Sequence, residues 1–226
     1  MRIGLITYDN FHLKTEQIVF KYLDNKKIEK INLYALPFKE RKAREVIFSH
    51  RPDMNNSIHT KYLSELDKVS FQKWDGEKDI SEKNDLFIIA GAGILKVDFS
   101  GGKPIVNAHP GIIPITRGLD SFKWAIYNGD PIGNTLHLID NEVDKGEILD
   151  IKLTKVFSTD TLDILARRHY ESEIDMLGSV LDIIENRIIP KYEEKPATMR
   201  MGAEKEKEMI DNFDSWKLKI ISLKHS

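Results

Sequence analysis

The sequence predicts an α/β fold with a mainly parallel central sheet flanked by helices, followed by a short C-terminal extension. Its first 36 residues give an opening β–α–β unit: an apolar strand at 3–7, an amphipathic helix capped by Thr15, and a second strand at 31–36. Two later apolar strands, at 86–90 and 104–106, each run into a turn of small residues or proline. This alternation indicates parallel strands joined by right-handed helical crossovers.

The remaining segments complete the predicted fold. In chain order we predict a short helix and loop at 37–60, a helix at 121–127, antiparallel strands at 134–140 and 147–155, and a long helix at about 161–186 capped by Thr159 or Asp160. After Pro190 the chain becomes strongly polar, and a terminal helix there carries Phe213 and Trp216 as candidate docking anchors. The sequence thus predicts a domain at 1–190 and an extension at 191–226.

The composition is that of an ordinary soluble protein. The 226 residues carry a net charge of −2, which gives no general attraction to nucleic acid or to an anionic membrane. The sequence has no cysteine, which excludes disulfides and cysteine-ligated zinc and suits a reducing compartment. No apolar run approaches the ~18 residues that span a bilayer. We expect a cytoplasmic protein, by default a homodimer, without metal, nucleic-acid or membrane partners.

Polar side chains gather after the strand at 104–106. Asn107 and His109 are two residues apart in an extended segment, so both side chains point to one side. Asp144 follows 35 residues after His109, in a loop before Gly146. Together an amide, an imidazole and a carboxylate suit attack of an amine on a carbonyl carbon. The imidazole accepts the amine proton, the amide stabilises the oxyanion, and the carboxylate orients the imidazole.

These residues belong to a larger set of motifs. An N-x-H-P-G-x-I-P segment with a following glycine, a T-L-H strand and a D-x-G loop comprise Asn107, His109, Pro110, Gly111, Ile113, Pro114, Gly118, Thr135, Leu136, His137, Asp144 and Gly146. With these motifs, the stretch from about 86 to 153 resembles the folate-dependent formyltransferase family. The resemblance implies a Rossmann-like formyltransferase fold in which Asn107, His109 and Asp144 are catalytic. His137, in the middle of a strand, is expected to support the site rather than react.

The resemblance also implies a co-substrate, N10-formyltetrahydrofolate, and no metal. The folate-contacting turn of the family is similar to the sequence IAGAGIL at 89–95. By this resemblance the folate lies between that turn and the loop at 139–144. The implied folate-binding residues are Gly91, Gly93, Ile94, Leu95, Ile139, Asp140 and Val143.

Members of this family differ mainly in the amine that they formylate. Glycinamide ribonucleotide transformylase holds its substrate phosphate in a glycine-rich turn after the first strand, whereas TYDNFH at 7–12 has no glycine. Methionyl-tRNA formyltransferase adds a basic C-terminal domain, and here only 36 residues follow Pro190. Formyltetrahydrofolate hydrolase adds an N-terminal regulatory domain, and this chain begins at its first strand.

What remains is a resemblance to the sugar N-formyltransferases. They formylate a nucleotide-linked amino sugar, such as a dTDP-4-amino-4,6-dideoxyhexose used for surface polysaccharide, including the O-antigen of lipopolysaccharide. Tyr8 and Arg117 are the candidate substrate-binding residues, and the basic run at 39–51 is a further candidate for diphosphate contact. Histidines without an evident partner are expected at the surface: His12, His50 and His59. Two alternatives stay open, a formyltransferase for another small amine such as glycinamide ribonucleotide and a non-catalytic folate- or nucleotide-binding module.

Overall fold

A seven-stranded sheet forms the centre of the fold. The computed structural model of the chain describes residues 1–40, 44–93, 95–139 and 146–223. The strands are β1 (Arg2–Tyr8), β2 (Lys30–Leu36), β3 (Val69–Lys73), β4 (Leu86–Ile89), β5 (Ile105–His109), β6 (Gly133–Leu138) and β7 (Ile148–Leu153). Their order across the sheet is β3-β2-β1-β4-β5-β6-β7. Strands β1 to β5 pair in parallel, and β6 pairs antiparallel with both β5 and β7. The predicted α/β fold with a mainly parallel sheet is confirmed.

Two strands differ from the sequence prediction. The strand β3 was not predicted, because VSFQK is short and half exposed and so lacks the continuous apolar run of its neighbours. The strand β5 extends to His109 instead of ending at Val106. Backbone pairing with β6 continues as far as His109, so Asn107 and His109 lie within the strand and not in the following turn.

Helices cover the sheet and follow it at the C-terminus. They are α1 (Leu13–Leu23), α2 (Ser121–Asn128), α3 (Leu162–Gly178), α4 (Val180–Ile183), α5 (Ala203–Asp211) and α6 (Phe213–Ser222), with short 3-10 turns at Thr60–Glu65, Ser81–Lys83 and Asp98–Ser100. The predicted long helix is interrupted at Ser179, and Thr161 is its N-cap through a 3.3 Å bond from the N–H of Ile164. The two predicted caps, Thr159 and Asp160, are therefore wrong. The carboxylate of Asp160 forms an ion pair with Arg168 instead.

Two further local predictions are wrong. Residue Thr15 is not the N-cap of α1, because the helix begins two residues earlier, at Leu13. The Thr15 hydroxyl instead shares a 2.5 Å hydrogen bond with the Thr7 hydroxyl in the sheet. No helix is formed by 37–40 or 44–59, the described parts of the segment for which a short helix was predicted. Hydrogen bonds and ion pairs with distant parts of the chain determine the conformation of 44–51 instead.

The hydrophobic core lies on both faces of the sheet. One face packs against α1 and α3 through Ile3, Leu5, Leu33, Ile88, Val106, Leu136, Ile18, Val19, Met176 and Leu177. The other face forms an aromatic-rich core of Ile6, Tyr34, Trp74, Phe87, Ile89, Phe99 and Ile105. Burial of each such side chain stabilises the fold by about 1.5–3 kcal/mol. Because the parallel strands are covered on both sides, their carboxyl ends are the exposed edge at which side chains can meet a ligand.

The C-terminal helices pack against the rest of the protein. As predicted, Phe213 and Trp216 are buried anchors, and Trp216 donates a 2.8 Å hydrogen bond to the Asp130 carbonyl. In α5 the fully buried Glu206 accepts a 2.8 Å bond from Lys123 of α2. Its carboxylate also accepts the N–H groups of Ile47 and Phe48, at 2.7 and 3.1 Å. These contacts attach the 44–51 segment to the C-terminal helices.

Candidate active site

Asn107 and His109 lie on one face of β5, next to the carboxyl end of the sheet. They share this face with Ile105, which belongs to the aromatic-rich core, whereas Val106 and Ala108 point to the opposite core. His109 is 4% exposed, and Asn107 is half-buried. The sequence argument that the two side chains point to the same side is therefore confirmed by the strand geometry.

The hydrogen bonds of His109 determine which ring nitrogen can act as a base. Its Nε2 lies 2.7 Å from the Thr116 carbonyl oxygen, which can only accept a hydrogen bond. Nε2 therefore carries the proton in the neutral ring, and Nδ1 is the nitrogen with the lone pair. The Ser121 hydroxyl lies 3.2 Å from the same Nε2 and 3.1 Å from the Gly118 carbonyl, to which it donates. These contacts fix the orientation of the ring.

The turn after β5 holds the Thr116 carbonyl against His109. The N–H of Ile112 donates to the Thr116 hydroxyl at 2.7 Å, and the Thr135 hydroxyl donates to the Gly111 carbonyl at 2.8 Å. A Cβ at Gly111 would lie 2.2 Å from the Thr116 oxygen and 2.7 Å from His109 Nε2. Glycine is needed there because any side chain would separate the histidine from its hydrogen-bond acceptor.

Asn107 is oriented by His137, which faces it across the β5–β6 pair. The Nδ1 of His137 lies 3.0 Å from the Leu138 carbonyl and must donate to it, which leaves Nε2 as an acceptor. The Asn107 amide nitrogen lies 3.3 Å from that Nε2 and donates to it. This contact distinguishes the amide nitrogen of Asn107 from its amide oxygen. The second N–H of the amide takes no part in it. The supporting role predicted for His137 fits this geometry.

Several predicted site residues lie outside the described residues. They are the third catalytic candidate, Asp144, and the folate-binding candidates Ile94, Asp140 and Val143. Among the described candidates, Leu95 and Ile139 both pack against the aromatic-rich core. The N–H of Ile139 donates to the Ile105 carbonyl at 2.7 Å, which ties the start of the 139–144 loop to β5.

A cleft of about 890 Å³ opens at the carboxyl ends of β1 and β2. We call it the β1–β2 cleft; its lining includes Tyr8, Phe11, His12, Leu36, Phe38, Lys39, Met54, Asn55, Asp75, Glu77, Gly93, Leu95 and Lys96. Three of the predicted binding residues, Tyr8, Gly93 and Leu95, line it. Asn107 and His109 do not. Its volume lies within the range of small-molecule sites.

The structure adds His12 to the site, although the sequence placed this residue at the surface. The ring lines the β1–β2 cleft and packs so closely on Gly91 that a Cβ there would lie 2.8 Å from His12 Cε1. Burial, helped by the positive charges of Lys14 and Arg51, lowers the pKa of His12 to about 4. The imidazole is therefore neutral near pH 7. The sequence signal that could have identified it is its position just after β1, where strand ends form sites.

Arg117, the other predicted substrate-binding residue, lines a different cleft of about 350 Å³ together with Pro114, Ile148 and Ile189. Its guanidinium donates to Glu194 at 2.6 Å and to the Lys195 carbonyl at 3.2 Å. The structure therefore does not bring Tyr8 and Arg117 into one cavity. Within the described residues, the buried Nε of Arg117 has no hydrogen-bond partner.

The basic run at 39–51 is used largely for structure. Arg44 donates to the Met201 carbonyl at 2.8 Å and to Asp120 at 3.2 Å. Arg51 pairs with the buried Glu173 at 2.5 Å, and the same carboxylate binds Lys14 at 2.7 Å. The two arginines therefore have partners already, and among the described residues of this run Lys39 is the basic residue that lines the β1–β2 cleft.

Two further features concern other kinds of site. In the ranges that the structure describes, no three His, Asp or Glu side chains are grouped as they would be around a metal ion. None of the helices within those same ranges combines the length and the apolar character needed to cross a bilayer.

Comparison with known proteins identifies the relatives of this chain. Over 173 residues it is 27% identical to the methionyl-tRNA formyltransferase of Sulfurimonas denitrificans, covering 75% of this chain and 55% of that protein. Over 102 residues it is 33% identical to the phosphoribosylglycinamide formyltransferase of Haemophilus influenzae, covering 43% and 48%. The chain therefore spans about half the length of these curated relatives.

Solved structures match a larger part of the chain. A sugar N-formyltransferase from a Shewanella species superposes with a TM-score of 0.63 at 19% identity, over 94% of this chain and 87% of that one. The formyltransferase PseJ from Anoxybacillus kamchatkensis, solved with UDP-4,6-dideoxy-4-formamido-L-AltNAc and tetrahydrofolate, gives 0.56 at 16% identity over 97% of both chains. These likenesses establish that the chain has the formyltransferase fold.

A family model matches the middle part of the sequence. Residues 83–181 match the family model described as formyl transferase. This segment contains the strands β4 to β7, the turn after β5, and the helices α2 and α3. The motifs quoted from the sequence, from Asn107 to Gly146, lie within this matching segment.

Proposed function

We propose that this protein transfers a formyl group from N10-formyltetrahydrofolate to the amine of a nucleotide-linked amino sugar, with a dTDP-4-amino-4,6-dideoxyhexose as the first acceptor to test. The observation that carries the proposal is the pair Asn107 and His109, side by side on β5 within the formyl transferase segment. Each is held in one orientation by a partner that fixes its hydrogen-bonding role. Such preorganisation is what catalysis of acyl transfer requires.

In the proposed mechanism the neutral amine attacks the formyl carbon. His109 Nδ1 accepts the amine proton, because Nε2 already carries one and donates it to the Thr116 carbonyl. The second N–H of Asn107 and the imidazolium hold the tetrahedral oxyanion. The bond from carbon to the folate nitrogen then breaks, that nitrogen takes the proton, and tetrahydrofolate and a formamide leave. Asp144 is proposed to stabilise the imidazolium that forms at His109 and to relay the proton.

The proposed donor site lies around the turn after β4. Backbone at Gly91 and Gly93 and the side chains of Leu95 and Ile139 would contact the folate, together with Ile94, Asp140 and Val143. An added Cβ at Gly93 would meet no atom within 4 Å, so the space beside this turn is open to a ligand. For the acceptor we keep Tyr8, which lines the β1–β2 cleft, and Arg117 as candidate contacts.

The choice of a sugar acceptor has two supports. Sugar N-formyltransferase structures superpose on nearly the whole chain, and the turn after β1 has no glycine with which to wrap a phosphate. With this acceptor we propose a cytoplasmic enzyme, acting as a homodimer in the synthesis of surface polysaccharide such as O-antigen.

Mass spectrometry provides the direct test. The purified protein is incubated with formyl-folate and dTDP-, UDP- and GDP-linked amino sugars, and the product is examined for the gain of one formyl unit.

His109→Ala and Asn107→Ala should each lower kcat by about 100-fold or more. Asn25→Ala, beyond the opposite end of α1, is the control and should be fully active. Turnover at the wild-type rate by either active-site variant would contradict the mechanism.

A second candidate acceptor is glycinamide ribonucleotide, which the 33% identity to the Haemophilus influenzae enzyme favours. It is assayed in parallel with the amino sugars. Formyl-folate binding in a calorimeter, with no formylated product from any amine, would instead support a non-catalytic binding module.

A further inference from the structure

We infer that Tyr8, His12 and Phe38 form a subsite that holds the uncharged sugar ring of the acceptor and leaves no place for a phosphate. We call these three residues the sugar subsite. The inference rests on the proposed function and deepens it, because it states which part of a nucleotide sugar enters the inner part of the β1–β2 cleft.

The first support is the aromatic wall of the cleft. Phe38 is 47% exposed although it lines a concave site, and its ring packs edge-to-face on Tyr8 at 5.6 Å and 81°. A large aromatic surface left open in a cleft is typical of a ligand contact. A deoxyhexose presents a face of C–H groups, and these match the electron-rich face of an aromatic ring. A phosphate has no apolar face to place there.

The second support is the way His12 is held. Its Nδ1 is hydrogen-bonded to the Thr15 hydroxyl at 2.7 Å, and Thr15 is bonded in turn to Thr7 inside the sheet. Gly91 lies against the Cε1–Nε2 edge of the ring. The imidazole is therefore fixed between α1 and β4 with one edge at the cleft. Because it is uncharged near neutral pH, it offers a hydrogen bond to a hydroxyl but no positive charge to an anion.

The third support is that the cationic side chains next to His12 already have an ion-pair partner. Lys14 and Arg51 are the nearest cations, and both bind the buried carboxylate of Glu173. The first N–H of α1, on Leu13, already donates to the Met54 carbonyl at 2.9 Å. Binding of a phosphate at a helix start depends on available N–H groups and local positive charge. Here the Leu13 N–H already has a partner, and the side chains of both cations already contact Glu173.

The diphosphate of a nucleotide sugar would then lie nearer the rim of the same cleft. Two exposed lysines, Lys39 and Lys96, line the cleft from the β2 side and the β4 side. No described residue forms an ion pair with either of them. The carboxylates of Glu40, Asp75 and Glu77 also line this cleft, so the two lysines are the groups there that could meet the diphosphate.

The test compares variants of the sugar subsite with a matched control in the full chain. Phe38→Ala removes the exposed ring, and His12→Phe keeps a ring but removes both nitrogens. The control is Phe20→Ala, which removes an aromatic side chain of nearly equal exposure, 49%, from α1 outside the cleft. Steady-state assays give kcat and both KM values with dTDP-4-amino-4,6-dideoxyglucose and formyl-folate.

We expect each subsite variant to raise KM for the amino sugar about 3- to 10-fold, the effect of one lost ring or hydrogen-bond contact. The values of kcat and of KM for formyl-folate should stay within about twofold of wild type, since neither residue touches the reacting atoms. Calorimetry with dTDP alone should give the same Kd for wild type and Phe38→Ala, because dTDP lacks the sugar. The control should match wild type throughout.

Different outcomes overturn different statements. Unchanged amino-sugar KM in both variants would refute the sugar subsite while leaving the proposed function intact. Weaker dTDP binding by Phe38→Ala would also refute it, since Phe38 would then contact the nucleotide. Competitive inhibition by inorganic phosphate that disappears in His12→Phe would show that an anion binds there. A wild-type protein that formylates no nucleotide sugar would refute the proposed function and the subsite with it.

Discussion

Replacing Glu173 by glutamine removes the carboxylate that pairs with both Lys14 and Arg51 beside the β1–β2 cleft. The side chain of Glu173 is fully buried, with Lys14 at 2.7 Å and Arg51 at 2.5 Å. Burial by itself would raise the pKa of Glu173, but attraction to the two cations and their hydrogen bonds outweigh it and lower the pKa to about 2. The native state therefore stabilises the ionised carboxylate.

The size of the effect follows from that pKa. A fall from 4.5 to about 2 corresponds to about 3 kcal/mol of folding free energy at pH 7. Breaking a buried ion pair by removing one partner costs about 3–5 kcal/mol, which agrees. For a chain of this size, the loss corresponds to a fall in Tm of about 6–12 °C. We expect Glu173→Gln to fold but to unfold at clearly lower urea concentration.

The pH dependence gives an independent check on the sign. Because the native pKa is depressed, the stabilisation is complete above the unfolded-state value of 4.5 and is lost as the pH falls towards 2. The stability difference between wild type and Glu173→Gln should therefore be smaller at pH 3.5 than at pH 7, by about 1 kcal/mol.

The assay is urea unfolding followed by circular dichroism at several pH values. The control is Glu171→Gln on the same helix, where the ion pair with Arg167 is exposed and should contribute less than about 0.5 kcal/mol. A loss below about 1 kcal/mol for Glu173→Gln at pH 7 would refute the reasoning, given the size expected for a buried pair. A difference that stays constant from pH 7 to pH 3.5 would refute it equally.

Two further predictions concern the site. Gly91→Ala places a methyl group 2.8 Å from the His12 ring, so we expect a loss of about 1–3 kcal/mol from overpacking; Gly93→Ala, with open space around it, should change thermal stability by less than about 0.5 kcal/mol. His137→Phe removes the acceptor that orients the Asn107 amide, so kcat should fall by about 10-fold or more with both KM values retained. Equal stability of the two glycine variants, or an unchanged kcat for His137→Phe, would contradict these expectations.

The parts of the fold that the sequence predicted depend on local patterns. Strands β1, β2, β4, β6 and β7 were predicted because continuous or alternating apolar residues describe a strand within a few positions. The strand β3 was missed because its pairing with β2 on the sheet edge, and not its own residues, makes it a strand.

The 44–51 segment shows the limit of local reasoning most clearly. Its basic residues favour a helix or a phosphate contact when considered alone. Its conformation depends on Glu206, more than 150 residues away in the chain, which accepts the N–H groups of Ile47 and Phe48. Arg51 likewise forms an ion pair with Glu173. No pattern within the segment encodes a partner so distant in sequence.

The sequence alone determined the class of fold and the common orientation of Asn107 and His109, because residue spacing in an extended segment fixes the side to which each side chain points. The tertiary structure decided which nitrogen of His109 bears the proton, since the Thr116 carbonyl reaches it only through the turn after β5. It also decided that His12 faces a cleft instead of solvent. The physical reason is that hydrogen-bond partners and burial depend on which elements become neighbours in space, and that information is spread over the whole chain.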